Sequence, residues 1–391
     1  MNLSYSQEYL SFQAEVRLFL SQQWDRSRAK EPGYVQEFRS RATGRGLLYR
    51  AIPRLYGGSE QPPDVLKAQI IREEFAQARA PMEVPGNGVS MVVPTLLECG
   101  EPWQCERFIP RSLTGEYRWA QGYSEPGSGS DLASLKTKAE LVGDEWVING
   151  QKIWTTLAHE ANYMFCLCRT EPDAPKHEGI SYLLFDFKQP GVTVRPIKQI
   201  TGGADFCETF LDNVRTPANW IVGKRGEGWR VSKSTLKHER NSVGSAAGLR
   251  DLFHKLVRLA QTTPYRGDVA IADAAIRQRI ATLDGYVQAH LYSGYYQLTK
   301  AALDESAGNL GLINKINTTN IGQEIAGLVT DIIQDDALSM PDFSPKRRGN
   351  SHWVNQIFGS LGLAIAGGTS NIQRKIIAER GLELPREVDG E

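Results

Sequence analysis

Two strings near the middle of the chain contain residue types that could bind a planar, polar cofactor. The first runs from Trp119 to Asp131 and reads WAQGYSEPGSGSD. Its glycines, Gly127 and Gly129, permit a loop whose backbone N–H groups face a ligand, and its serines add hydroxyls. Such a loop suits a polar ring edge or a phosphate. Taken alone, it is more typical of a plain Gly/Ser connection leading into a strand.

The second string follows from Asn149 to Thr156 and reads NGQKIWTT. A tryptophan beside two threonines at a strand end could offer a ring face and hydroxyls to a planar cofactor. The alternative is that Trp154 simply belongs to a β-sheet core, as tryptophan commonly does. Neither string alone decides between binding and structure.

Composition and motif searches exclude several other classes of protein. The 391 residues carry 45 Lys and Arg against 45 Asp and Glu, so neither a general nucleic-acid binder nor a polybasic membrane-surface protein is expected. No apolar run is long enough to insert into a membrane. The chain has no Walker A loop, no HExxH and no GxSxG motif, and its histidines lack metal spacing. We expect Cys166 and Cys168 to be apolar thiols of a buried strand.

The start of the chain resembles neither a signal peptide nor a transit peptide, and the five cysteines are few and odd in number. Both features favour a reducing compartment, so we expect a cytoplasmic protein.

The elements that must position the two strings follow a helical, then β, then helical order. Apolar residues recur at helical spacing in the first third, where Asp64 is expected to cap a helix. From residue 119 to 222 the pattern changes to period two, which predicts a small antiparallel barrel or sandwich. The sequence therefore predicts an α+β protein with an N-terminal helical domain (1–118), a middle β-domain (119–222) and a C-terminal helical domain (223–391). Strands are predicted at 136–149 (two, joined at Gly143-Asp144), 162–169, 180–187, 191–197 and 206–214.

Together, the two strings resemble the acyl-CoA dehydrogenase family, and the resemblance covers nearly the whole chain. Three further motifs agree in type and order: PRLYGG from Pro53 to Gly58, GEGW from Gly226 to Trp229, and GTSNIQR from Gly368 to Arg374. The helical–β–helical order is also the architecture of that family, whose C-terminal domain is a four-helix bundle.

The resemblance implies FAD as the cofactor and α,β-dehydrogenation of an acyl-CoA as the reaction. Gln121, Tyr123 and Ser124 would lie beside the isoalloxazine ring. Ser130 would lie near the thioester end of the substrate or the CoA phosphates.

Further cofactor contacts are implied on the second string and near the C-terminus. Trp154, Thr155 and Thr156 would cover the other side of the flavin ring. Thr369 and Asn371 match the family's C-terminal cofactor contacts, although Asn371 is shorter than the Glu or Gln usually found there.

The catalytic base departs from the commonest pattern of the family. The usual motif has a Glu where this chain has Gly367, which cannot accept a proton. The resemblance points to the alternative position, one residue before an arginine on an earlier helix. Glu239 and Arg240 occupy it, and a buried carboxylate beside a flavin suits base chemistry. The backbone N–H of Gly367 would bind the substrate carbonyl.

A second departure concerns assembly. Residues 264–281 lack the Arg-x-x-Phe-Gly motif with which homotetrameric members reach a neighbour's FAD, and 331–343 lack Gln-x-x-Gly-Gly. The chain thus resembles the large subunit of heteromeric pimeloyl-CoA-type or steroid-side-chain dehydrogenases. The expected partners are an acyl-CoA, an electron-transfer flavoprotein, and a paired subunit or a homo-oligomer. Two alternatives remain open: a structural flavin-binding half of a heteromer, or an acyl-CoA oxidase or flavin monooxygenase on the same fold.

Overall fold

The computed structural model describes residues 5–242, 246–339 and 350–385, without the side chains of 238–242, 246, 247 and 351. The chain divides into two compact units. Among the described residues, the first comprises 5–197 and 204–239, and the second comprises 198–203, 240–242, 246–339 and 350–385.

The first unit opens with five helices. Asp64 precedes the third helix, and its carboxylate accepts hydrogen bonds from the backbone N–H groups of Leu66 and Lys67 at 3.0 and 2.8 Å, which confirms the predicted cap. A short π-helical turn at Gly88–Val92 leads into the fourth helix. The five helices are α1 (Gln7–Gln23), α2 (Tyr34–Gly44), α3 (Val65–Ala78), α4 (Val93–Cys99) and α5 (Pro102–Thr114).

Eight strands then form one sheet in the order β6-β7-β3-β2-β4-β5-β8, with β1 pairing with β4. Most neighbours are antiparallel, but β1 and β2 both run parallel to β4. The predicted hairpin at Gly143-Asp144 is confirmed, whereas the period-two pattern does not single out β1 or β8. The strands are β1 (Trp119–Gly122), β2 (Lys138–Val142), β3 (Glu145–Lys152), β4 (Tyr163–Arg169), β5 (Ile180–Asp186), β6 (Val192–Pro196), β7 (Cys207–Pro217) and β8 (Ile221–Val222).

The central strand β4 is buried on both faces, and its alternate residues point to opposite sides of the sheet. In β4, Phe165 and Leu167 pack into the core shared with the helices. Cys166 and Cys168, on the other face, pack with Trp146, as the sequence predicts for apolar thiols. Helix α6 (Gly228–Ser242) follows the sheet.

The second unit is helical, and four long helices pack around one apolar core. These are α7 (Ala246–Thr262), α8 (Ala274–Ala302), α9 (Leu310–Ile333) and α10 (Ser351–Leu363). A two-stranded ribbon, β9 (Pro264–Tyr265) and β10 (Asp268–Val269), joins α7 to α8. The last helix, α11 (Ser370–Ile376), continues into a π-helical turn at Ile377–Gly381. The predicted helical–β–helical order is confirmed.

Candidate functional site

The first string consists of β1 and the loop that follows it. This loop is buried at its start and exposed at its tip. Gln121 is half-buried within β1. Tyr123 is buried, and its ring stands edge-on to Phe165 with 5.8 Å between the ring centroids. Ser124 is half-buried, whereas Ser130 is exposed. Side chains at the two ends of this loop therefore differ in their access to a ligand.

The loop is held by its own hydrogen bonds. Glu125 and Ser128 exchange backbone hydrogen bonds at 3.0 Å in both directions. The hydroxyls of Ser128 and Ser134 lie 2.8 Å apart, so Ser128 is used within the loop. Gly127 and Gly129 have open space where a side chain would begin. The flexible glycines thus lie on the exposed side of a closed turn.

The second string places three neighbouring residues in three different environments. Trp154 has a φ of 60° and is 56% exposed, and its indole stands edge-on to Phe206 at 6.0 Å between ring centroids. A left-handed backbone is uncommon for a residue other than glycine and is found preferentially at functional sites. Thr155 is fully buried, and its hydroxyl donates to the carbonyl of Cys207 at 2.9 Å. Thr156 is exposed.

The structure brings the two strings together through a buried ion pair that the sequence interpretation missed. The ammonium of Lys152 lies 2.9 Å from the Glu125 carboxylate, and the two side chains are 0% and 8% exposed. The backbone N–H of Ile153 also donates to the carbonyl of Ser124 at 2.9 Å. Two consecutive residues of the first string, Ser124 and Glu125, therefore bond to the end of β3.

Charge and hydrogen bonding together keep Glu125 ionised. Burial alone raises the pKa of this carboxyl group, but the positive charge of Lys152 and hydrogen bonds from Thr137 and Lys136 lower the pKa below its usual value. The relevant sequence signal was the strand parity. Lys152 follows Trp146 and Ile148 at even spacing in β3, the parity whose side chains are buried.

The second unit contains three of the predicted site residues near α11. Gly367 is exposed with a φ of 61°, and its backbone N–H has no hydrogen-bond acceptor among the described residues. The hydroxyl of Thr369 caps α11 by accepting from the backbone N–H of Ile372 at 3.2 Å. Asn371 is exposed, and its side-chain oxygen accepts from Arg374 at 3.2 Å. The Thr369 hydroxyl therefore already serves as the N-terminal cap of α11.

Glu239 and Arg240 are in helix α6, near its C-terminal end. Their side chains lie outside the described residues, so both assignments stay predictions. Within the described part of the chain, no group of three His, Cys, Asp or Glu side chains could hold a metal ion. No described helix is long and apolar enough to cross a membrane.

Comparison with known proteins finds three domain models of one family along the chain. The model of the acyl-CoA dehydrogenase N-terminal domain matches residues 6–116, that of the middle domain matches 120–214, and that of the C-terminal domain matches 226–382.

Two curated relatives come from Mycobacterium tuberculosis. Acyl-CoA dehydrogenase IpdE1 is 41% identical over 320 residues, which cover 81% of this chain and 80% of IpdE1. Acyl-CoA dehydrogenase FadE29 is 30% identical over 394 residues, which cover 99% of each protein.

Two solved structures have the same fold along nearly the whole chain. The ChsE4-ChsE5 complex from Mycobacterium tuberculosis matches with a TM-score of 0.79 and 28% identity, covering 99% of this chain and 100% of the other. The Tcur3481-Tcur3483 steroid acyl-CoA dehydrogenase matches with a TM-score of 0.79 and 27% identity at the same coverage.

Proposed function

This chain belongs to the acyl-CoA dehydrogenase family, and from that premise we propose that it catalyses FAD-dependent α,β-dehydrogenation of an acyl-CoA thioester to the trans-2-enoyl-CoA. The proposal depends on one observation above all: the two strings that resemble the flavin-binding segments of the family are joined in space by Lys152 and Glu125. We also propose the domain limits at 118/119 and 222/223 and a cytoplasmic location, which the five free cysteines support.

The residues of the first unit fit a flavin. Trp154 presents an indole that is 56% exposed, on a backbone held at a positive φ, as expected for a ring kept available to a planar ligand. Thr156 and Ser124 offer polar atoms on either string, and the ring of Tyr123, next to Ser124, packs against Phe165 on the buried side. Bound FAD would supply the acceptor for the hydride that leaves the β-carbon.

The chain's own residues would act on the α-proton and the carbonyl. We assign proton removal to Glu239, with Arg240 supporting the active site. The α-proton of a thioester is weakly acidic, so the negative charge that develops on the carbonyl oxygen needs hydrogen-bond donors. The exposed N–H of Gly367 suits that role, because no described acceptor uses it.

Replacing Glu239 by Gln tests the base. The Glu239→Gln variant keeps the shape of the side chain but cannot take a proton, so we expect it to bind FAD normally and to lose bleaching of the flavin by acyl-CoA. Glu379→Gln, a carboxylate change in the π-helical turn after α11, serves as a control that should leave bleaching unchanged. Substantial turnover by Glu239→Gln would overturn the assignment.

The departure at Gly367 offers a complementary gain-of-function test. Placing the family's usual glutamate there, as Gly367→Glu in the Glu239→Gln background, should restore measurable flavin bleaching. The positive φ of 61° makes the change costly by about 1 kcal/mol, which is small enough for the fold to tolerate. No recovery in a well-folded, FAD-containing double variant would count against equivalence of the two base positions.

For the substrate we propose a steroid side-chain acyl-CoA. Support comes from the Tcur3481-Tcur3483 structure, which is described as a steroid acyl-CoA dehydrogenase and covers 99% of this chain. A panel of fatty, dicarboxylyl and steroid side-chain CoA thioesters, assayed by dye reduction, separates the three classes. Faster turnover of a fatty or dicarboxylyl thioester would overturn this choice. We propose an electron-transfer flavoprotein as the acceptor of the electrons.

For the assembly we propose a heteromer with a second, paired subunit that completes the FAD site. The arginines of the 264–281 segment are bonded within the second unit: Arg279 pairs with Asp331, and Arg277 donates to the carbonyl of Ala272 at 2.6 Å. The charge of Arg279 is thus partly neutralised by a carboxylate, and Arg277 already donates to a backbone carbonyl, before any diphosphate binds. A stable homotetramer holding four FAD would refute the proposal, whereas full flavin loading only after co-expression with a paired subunit would support it.

A further inference from the structure

Lys152 has an unusual environment for a lysine, because every hydrogen of its ammonium group has a buried acceptor. The side chain is 0% exposed. It donates to the Glu125 carboxylate at 2.9 Å, to the Leu167 carbonyl at 2.8 Å and to the Tyr123 carbonyl at 3.2 Å. An ammonium group has three donors, so its bonding capacity is used in full.

Glu125 is equally well satisfied from the other side. Its carboxylate accepts from the backbone N–H groups of Lys136 and Thr137 at 2.7 and 2.8 Å, in addition to the bond from Lys152. Residues 136 and 137 form the end of the loop that begins at Gly122. The ion pair therefore fixes both the beginning and the end of this loop to β3 and β4.

Stability alone is a weak explanation for such a pair. Removing two charges from water is costly, and well-packed apolar residues often stabilise a core as well or better. What an apolar pair could not do is direct the Tyr123 and Leu167 carbonyls and the Lys136 and Thr137 N–H groups to fixed positions. The network is thus suited to specifying geometry.

The geometry it specifies is that of the two adjoining segments, which contain residues accessible to a ligand. Trp154 is 56% exposed and lies two residues after Lys152. Ser124 lies between Tyr123 and Glu125, which both accept hydrogen bonds from the Lys152 ammonium group. We propose that Lys152 and Glu125 are positioning residues for flavin binding, which hold the Gln121–Ser124 and Trp154–Thr156 segments in register. This inference rests on the proposed function.

The test compares FAD binding by the whole chain and by its variants, with the paired subunit present if the chain alone retains no flavin. Lys152→Met keeps the length of the side chain and removes the charge. We expect FAD to bind at least tenfold more weakly, with altered visible absorption bands of the flavin that remains, while far-UV circular dichroism at the same temperature is unchanged. Glu145→Gln is the matched control, because it breaks the exposed Arg215–Glu145 pair on the same strand and should change affinity less than twofold.

Two outcomes overturn the inference. One is a Lys152→Met protein that melts at a lower temperature but keeps wild-type FAD affinity and absorption bands, because the pair would then act on stability alone. If Lys152→Met does not fold, Glu125→Gln is the deciding variant. FAD binding at least threefold weaker than in the wild type supports the inference, and unchanged affinity overturns it. Absence of FAD binding by the wild-type protein, alone and with the paired subunit, would instead refute the proposed function.

Discussion

The hydroxyl of Thr155 lies 2.9 Å from the hydroxyl of Thr209, and both side chains are fully buried. The same Thr155 hydroxyl donates to the Cys207 carbonyl, and the Thr155 backbone N–H donates to that carbonyl as well. Thr156, its neighbour, is exposed. Two adjacent threonines of one predicted binding string therefore differ in role: Thr155 ties the string to β7, and Thr156 is accessible to a ligand.

This difference predicts that two matched substitutions affect different properties, stability in one case and FAD binding in the other. Thr155→Val should lower the free energy of unfolding by about 1–2 kcal/mol, because it leaves buried hydrogen-bond partners unsatisfied. Thr156→Val should change the free energy of unfolding by less than about 0.5 kcal/mol and should weaken FAD binding. Urea unfolding and FAD titration of both variants measure the two effects. Equal loss of stability in the two variants would contradict the separation of roles.

The sequence predicts the fold well because its signals are local and repeated. The hairpin at Gly143-Asp144 and the cap at Asp64 each depend on residues close together in the chain. The last helix, α11, shows the limit. Ser370 and Gln373 have the spacing of a capping box, but Thr369 caps the helix, since its hydroxyl accepts a hydrogen bond from the Ile372 N–H. A boundary can shift by one residue when neighbouring side chains can both serve as caps.

The site is less predictable because its support comes from contacts that are distant in sequence. Lys152 reaches Glu125, Tyr123 and Leu167, which belong to three different segments. A charged residue in a strand is ordinarily placed on the solvated face, so propensity argues against burial. Only the pairing of β3 with its neighbours makes burial of this lysine acceptable. Strand parity indicates that Lys152 is buried but does not identify Glu125 as its partner.

Gly122, at the end of β1, has no room for a side chain. A Cβ atom added there would lie 2.7 Å from the Met164 sulfur and 2.9 Å from the Cys166 sulfur. Gly122→Ala should therefore lower the free energy of unfolding by about 1–3 kcal/mol through overpacking. Denaturant unfolding measures the loss. In a Met164→Ala background, the additional loss caused by Gly122→Ala should be smaller than in the wild type, because the nearer sulfur is then absent.

Gly127→Ala is the control for this prediction. Gly127 lies in the same loop, and nothing stands within 4 Å of an added Cβ. Its free energy of unfolding should stay within about 0.5 kcal/mol of the wild-type value. A similar loss in both variants would show that alanine disturbs the loop in general, and the steric explanation for Gly122 would be wrong.

The core of the second unit makes a separate prediction. Leu328 in α9 is fully buried among apolar side chains, whereas Leu338 is 86% exposed. Leu328→Ala should cost about 2–5 kcal/mol of unfolding free energy, since it removes apolar contacts and leaves a cavity. Leu338→Ala should cost less than about 0.5 kcal/mol. Thermal unfolding of the two variants checks the contrast, and comparable melting temperatures would contradict the assigned core.

Acid should weaken the fold in part through Glu125. The pKa of its carboxyl group is lowered in the folded protein: burial opposes this, but the Lys152 charge and the hydrogen bonds from Thr137 and Lys136 outweigh it. A group with a lowered folded-state pKa stabilises the fold fully above its unfolded pKa of about 4.3, and that stabilisation disappears as the pH falls through the folded-state pKa. The free energy of unfolding should therefore decline as the pH falls below about 4.3.

Glu125→Gln isolates this contribution, because it lacks the titrating group while all other carboxyl groups are shared with the wild type. The difference in unfolding free energy between wild type and Glu125→Gln should be largest near neutral pH and should shrink on acidification. Urea unfolding of both proteins at several pH values between 7 and 3.5 measures it. A difference that stays constant across this range would mean that Glu125 has the same pKa in the folded and unfolded chain.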